Sequence, residues 1–238
     1  MYNFTQKLNP MKKYLSIIFL AIIVSSSCKK TETVGDANIR FVNLSPNSNS
    51  LNMNANNALL IGNVVYGSAS SYRPIGANNP LVTIVDPLSS SSTPMVSANL
   101  LIQPSIFYSF FLFDSTSSVK VSLVIDDRTL PATGKCNIRF LNFYKGSVSV
   151  DIKRGGATNL FIARTTNDHA VTPTFSQYTS FDAGSFSLGA FVAGTSVSLF
   201  QLPNIDFVAG KKYTLILRGL SAATTGPQSM VLVPITDN

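Results

Sequence analysis

A hexapeptide returns in this chain. Asn38-Ile39-Arg40-Phe41-Val42-Asn43 reappears as Asn137-Ile138-Arg139-Phe140-Leu141-Asn142, 99 residues later. Ser71-Tyr72 then matches Gln177-Tyr178, and Phe107-Tyr108-Ser109-Phe110 matches Lys212-Tyr213-Thr214-Leu215, at offsets of 106 and 105 residues. Copies that stay in step this far, with one modest insertion, require a duplicated unit of about 100 residues, the size of one domain. Between them, Asp126-Asp127-Arg128 and Pro131-Ala132-Thr133-Gly134 read as a turn and linker. The sequence therefore predicts repeat 1 over residues 37–130 and repeat 2 over residues 131–238.

Each unit reads as strands. Charged residues are 12% of the chain, and Ser, Asn, Thr, Val, Ile, Phe and Tyr are abundant, which is a β composition. Short runs recur at Ile39–Leu44, Val82–Val85, Phe107–Phe113, Val119–Ile125, Ile138–Phe143, Val148–Ile152, Tyr213–Leu217 and Met230–Pro234. Most are bounded by Gly, Pro, Asn, Asp or Ser, as a sandwich or barrel requires. Val148-Ser149-Val150-Asp151-Ile152-Lys153 alternates, so one face should pack inward, and Gly155-Gly156 should turn the chain back into Asn159–Ala163. Ile106 to Phe113 is apolar almost throughout and calls for a central strand covered on both faces.

At these residues the chain resembles the bacterial domain-of-unknown-function 4397 family. The family's opening strand with its Ser-Pro turn is similar to Ala37 to Pro46, and its glycine turn into a tyrosine-bearing strand is similar to Val208 to Leu215. Tyr66-Gly67 and Tyr72 echo a middle Tyr-Gly and a following Tyr. Asn43 and Asn142 stand where the family commonly has His, and Tyr144-Lys145 replaces Ser-Pro in the second copy. The resemblance implies an envelope protein with Ig-like β domains, often two per chain, and it supplies no catalytic residue. The expected fold class is all-β: two tandem Ig-like β-sandwich domains after a lipoprotein signal peptide.

The N-terminal stretch fits that setting. Met11-Lys12-Lys13, the apolar run Tyr14 to Val24, the small residues Ser25-Ser26-Ser27 and then Cys28 resemble a bacterial lipoprotein signal, with Ser25 where the motif usually has Leu. The run is too short to cross a hydrocarbon core of about 30 Å. This reading makes residues 1–27 a signal peptide starting at Met11, Cys28 the lipid attachment site carrying acyl chains such as palmitate, and residues 28–36 a tether. Two or three chains, at about 0.8 kcal/mol per buried CH₂, hold a protein on a membrane stably. The competing reading is an ordinary secretory signal cut nearby, with Cys28 free or disulfide-bonded. The expected location is the cell envelope, lipid-anchored at the outer membrane, on either its periplasmic or its external face.

Chemistry is scarce. The formal charge of +7 falls to +4 when Lys7, Lys12 and Lys13 leave with the signal, leaving 15 basic against 11 acidic residues. Those bases, Arg40 and Arg139 among them, are scattered rather than gathered on one face, which argues against nucleic acid as a partner. His169 stands alone in a loop-like segment with no nucleophile elbow, and reads as an exposed loop residue. Zinc chemistry needs more ligands than one His and one remaining Cys, Cys136, which reads as a small core hydrophobe. Asp126-Asp127 is the only adjacent carboxylate pair; on a strand its side chains diverge, and it reads as a solvated linker. No metal site, cofactor or enzymatic activity is expected. Tyrosines with a partner in the other copy read as core or corner residues, which leaves Tyr144, Phe161 and Phe175 as candidates for a ligand-binding surface patch. The expected roles are a non-enzymatic binding or adhesion module for a protein or glycan, a carbohydrate-binding accessory of a polysaccharide uptake system, or a structural spacer.

Overall fold

The computed structural model describes residues 35–91, 93–221, 225–226 and 228–237, all within one compact unit, Val34–Asn238. Cys28, the signal peptide and the tether up to residue 34 lie outside the described residues.

The first repeat supplies β1 (Asp36–Leu44), β2 (Leu51–Ala55), β3 (Ala58–Val64), β4 (Ser68–Ala69), β5 (Arg73–Gly76), β6 (Leu81–Val85), β7 (Val96–Asn99), β8 (Phe107–Phe113) and β9 (Lys120–Ile125). The second supplies β10 (Lys135–Asn142), β11 (Val150–Arg154), β12 (Thr158–Arg164), β13 (Thr179–Asp182), β14 (Gly184–Val192), β15 (Ser198–Phe207), β16 (Lys212–Arg218) and β17 (Val231–Asp237). Among the described residues the helical segments are two short 3-10 turns, Asp168–Ala170 and Pro173–Ser176. None is long and apolar enough to cross a membrane. The fold is all-β.

Each repeat is a sandwich of two sheets. In repeat 1 the order β4-β1-β8-β9, with β5 also on β1, faces β3-β2-β6-β7; in repeat 2 the order β13-β10-β16-β17 faces β12-β11-β14-β15. β1 runs parallel to β8, and β10 parallel to β16. Inside repeat 1, Ile39, Phe41, Tyr108, Phe110 and Leu112 meet Leu51, Met53, Val82 and Ile84 from the opposite sheet. Repeat 2 matches this with Ile138, Phe140, Tyr213 and Leu215 against Val150, Ile152, Leu188 and Ala190, and Cys136 is buried in that core. Burial pushes its thiol pKa up, so it is the inert residue expected.

A third apolar cluster explains why β8 is hydrophobic on both faces. Val42, Leu44, Phe111, Phe113 and Val124 of repeat 1 pack against Leu141, Phe143 and Ile216 of repeat 2. Side chains alternate along a strand, so residues 110 and 112 enter one core while 111 and 113 enter the other. Residues 35–237 thus stack four sheets, and the centres of the two inner sheets are packed on both faces.

Turns follow from local chemistry. Gly155 and Gly156 take positive φ (58° and 73°) between β11 and β12, as expected, while the matching hairpin of repeat 1 uses Asn56 and Asn57 (48° and 67°). The outward face of β11 departs from expectation. Asp151 is 1% exposed, because its carboxylate accepts the Ala163 and Gly194 N–H groups at 2.8 and 2.9 Å. Asn52, its counterpart, accepts only the Asn63 N–H.

Candidate functional site

Polar side chains on the two inner sheets form a duplicated constellation. In repeat 1, Arg40 Nε donates to Ser109 Oγ (2.6 Å), and both Ser109 Oγ and Tyr72 OH donate to Asp126 Oδ2 (2.6 and 2.8 Å). In repeat 2, Arg139 Nε donates to Thr214 Oγ1 (2.8 Å), while Thr214 and Tyr178 donate to Asp237. The arginines then cross over: Arg40 pairs with Asp237, and Arg139 pairs with Asp126. Their guanidinium planes lie over the Tyr72 and Tyr178 rings, 5.1 and 4.6 Å from the centroids.

Arg139 is 0% exposed and Asp126 2%. Burial works against both guanidinium charges, but the carboxylates of the two repeats outweigh it and raise both arginine pKa values. Burial first, and then the neighbouring carboxylates, raise the two phenols above their ordinary range. The two guanidinium groups and the two phenols thus keep one protonation state at neutral pH, and the crossed pairs tie the repeats together. Asp126 is therefore corrected from a solvated linker residue to a buried ion-pair partner. Asp127 alone faces outward, bound to Lys212 at 2.8 Å.

Several surface depressions flank this junction. At one end, a cleft of about 400 Å³ is lined by Asp114, Lys120, Lys145, Ser147, Thr166 and Ser221 over a floor of Phe113 and Phe143. Asp114 bridges the repeats, 3.2 Å from Lys120 and 2.5 Å from Lys145. Burial works to raise its carboxyl pKa, but hydrogen bonds from Lys145, the Ser115 N–H and Lys120 win and hold it below the usual range. Along the side, adjoining clefts of about 460 and 510 Å³ run between β9 and residues 169–178, sharing Ile125, Pro173 and Ser176. His169 lines the first of them. It is 5% exposed, its Nε2 lies 2.9 Å from Ser122 Oγ, and its ring packs edge-on against Phe143. The expectation of an exposed loop histidine is thus corrected: apolar contact draws the ring inward, and burial pushes its pKa down to about 4.

The expected aromatic patch is not assembled. Tyr144 is 8% exposed and belongs to the repeat 2 core, so its ring faces are closed to a ligand. Phe161 leans on Phe140 and Phe181, also against that core. Phe175 is 37% exposed but lies on the Arg164 guanidinium, 4.3 Å away. The three rings form no common surface. Tyr108 and Tyr213 are corner residues, each accepting the N–H of the residue five positions earlier, Gln103 and Val208. Among the described residues no three His, Cys, Asp or Glu side chains come close enough to hold a metal ion.

A family model described as "Domain of unknown function (DUF4397)" matches residues 37–153, which span repeat 1 and the first two strands of repeat 2. No curated protein matches the chain. Among solved structures, the chain is similar to the carbohydrate-binding module CBMbc (family CBM26) of Eubacterium rectale Amy13K, solved with maltoheptaose. The identity is 11%, over 83% of this chain and 96% of that one, with a TM-score of 0.23. A likeness that slight carries no argument.

Proposed function

We propose that the protein is a lipid-tethered, non-enzymatic binding module of a bacterial cell envelope, held at the outer membrane through Cys28 and presenting two fused β-sandwiches to a ligand. Residues 131–238 are, on this reading, a second copy of the unit formed by residues 37–130. The observation that carries the proposal is the crossed pairing of Arg40 with Asp237 and Arg139 with Asp126. It commits Arg40, Arg139, Asp126 and Asp237 to joining two sandwiches into one body, a scaffolding use of groups that an enzyme would keep accessible. Labelling cells with a clickable fatty acid, then mass spectrometry of the N-terminal peptide, tests the anchor; an unmodified Cys28 overturns it. Turnover of an envelope polysaccharide by the purified chain would overturn the non-enzymatic assignment.

The polar cleft favours a second reading, a carbohydrate-binding accessory protein. Hydroxyl groups, a carboxylate and two ammonium groups around about 400 Å³ suit a polyhydroxylated ligand. A glycan array probed with the parent and with Lys145→Ala separates the readings: saturable binding lost in the variant supports the glycan.

A further inference from the structure

The two repeats end their inner sheets on equivalent edge strands, β9 and β17, and close them differently. The Asp126 N–H donates to the Phe107 carbonyl at 2.8 Å. In the antiparallel register that sets Phe110 opposite Leu123 and Phe111 opposite Ser122, Ser122 and Val124 turn their backbone groups toward β8. Val121, Leu123 and Ile125 turn theirs outward. Of these groups, the Ile125 carbonyl accepts from Arg139. In β17, Pro234 lies opposite Leu215 as Leu123 lies opposite Phe110, so proline fills the place of Leu123. Proline has no N–H to offer and protects an edge from pairing. β9 has no such guard.

Repeat 2 adds a wall beside that open edge. From Gly67, which donates to the Asn43 carbonyl, to Arg73 opposite Ile39 the chain advances six residues. The same path in repeat 2, from Asn167 on the Asn142 carbonyl to Thr179 opposite Ile138, takes twelve. The extra residues form the two 3-10 turns, and these stand across the clefts from β9. Val121 and Ile125 are 38% and 59% exposed on the strand side. His169, buried in the wall, has no hydrogen-bond partner for Nδ1.

We propose that this groove binds an extended polypeptide segment, which adds to β9 as a further strand. An outward row of backbone groups is matched by another backbone. The rim positions Val121 and Ile125 select apolar side chains at alternate residues of the guest. A wall only a cleft's width away admits a single strand more readily than the sheet of a second copy. The inference rests on the binding-module reading and names its site and partner class.

Phage-displayed random peptides, panned on the purified full chain, supply the probe. Selected peptides should alternate apolar residues and lose at least tenfold in affinity on Leu123→Pro, which copies the Pro234 guard. Ile125→Lys should weaken them without touching the backbone row. Amide exchange on the parent chain reads the same contact directly: Leu123 exchanges quickly when free and is protected by peptide, whereas Val124 is protected throughout. The proposal is overturned if no peptide is selected, if selected peptides ignore both variants, or if Leu123 is already protected because two chains pair through β9. A glycan or protein bound elsewhere, with no peptide in the groove, removes this inference and leaves the binding-module reading standing.

Discussion

Repeat 1 and repeat 2 place the same polar side-chain types at their shared interface, Arg, Tyr, a hydroxyl residue and Asp, and keep the same corner tyrosines, yet differ at their edges and turns. The interface half of each repeat is constrained by the other, because each arginine needs the other repeat's aspartate. Outside it, Pro234 stands against Leu123, Asp151 against Asn52, and a twelve-residue path against a six-residue one. Reciprocal ion pairing holds those four positions alike, while edges, turns and the loops beside them part.

The comparison breaks first at the ion pairs. Arg139→Ala leaves buried Asp126 with only the longer ion-pair contact to Arg40 at 3.9 Å and should cost about 3–5 kcal/mol in urea unfolding. Arg40→Ala should cost less, since Arg139 also bonds the Ile125 carbonyl. Equal losses would show the two halves to be interchangeable.

Between about pH 6.5 and 4 acid should act chiefly through repeat 2, where the single histidine lies; at lower pH the lowered carboxyl of Asp114 adds a loss from repeat 1. Burial holds His169 at about 4, against about 6.5 when unfolded. Between those values the unfolded chain binds the extra proton, so this contribution is complete above about pH 6.5 and declines as the pH falls toward 4. The loss should reach on the order of 2–3 kcal/mol, and His169→Phe should flatten that part of the stability profile.

Asp151→Ala strands the Ala163 and Gly194 N–H groups and should destabilise by about 1–3 kcal/mol, while Asn52→Ala, freeing one exposed N–H, should cost about 0.5–1 kcal/mol. Denaturant midpoints of the two variants measure the difference. Smallest is the turn after β3. Gly67 has φ of 80°, and an added Cβ would sit 2.7 Å from an Arg218 nitrogen. Gly67→Ala should lower stability by about 1 kcal/mol, whereas Asn167→Ala, at the matching place, should cost a few tenths, as a thermal melt would register.

Strands with β-branched and aromatic residues were legible in the sequence: β8 runs over Phe107–Phe113, as its unbroken apolar pattern required. β2 was not, because Leu-Asn-Met-Asn-Ala places residues of low strand propensity on its outward face. The repeated Arg40 and Arg139 were visible at one offset but read as scattered charge. Their partners lie 197 and 13 residues away along the chain, and nothing local ties an arginine to an aspartate across a sheet interface. His169 was misread for a related reason, since the Phe143 and Ser122 that bury it belong to other elements.

The linker between β9 and β10 makes an intramolecular event of what would otherwise be dimerisation of two half-molecules. Two separate copies would obey two-fold symmetry, and any wall built beside one edge would be built beside both. Joined in one chain, they meet at an effective concentration that dilution cannot lower. One half is then free to guard its edge with proline while the other leaves its edge open, so each molecule offers one groove rather than two and engages its guest singly.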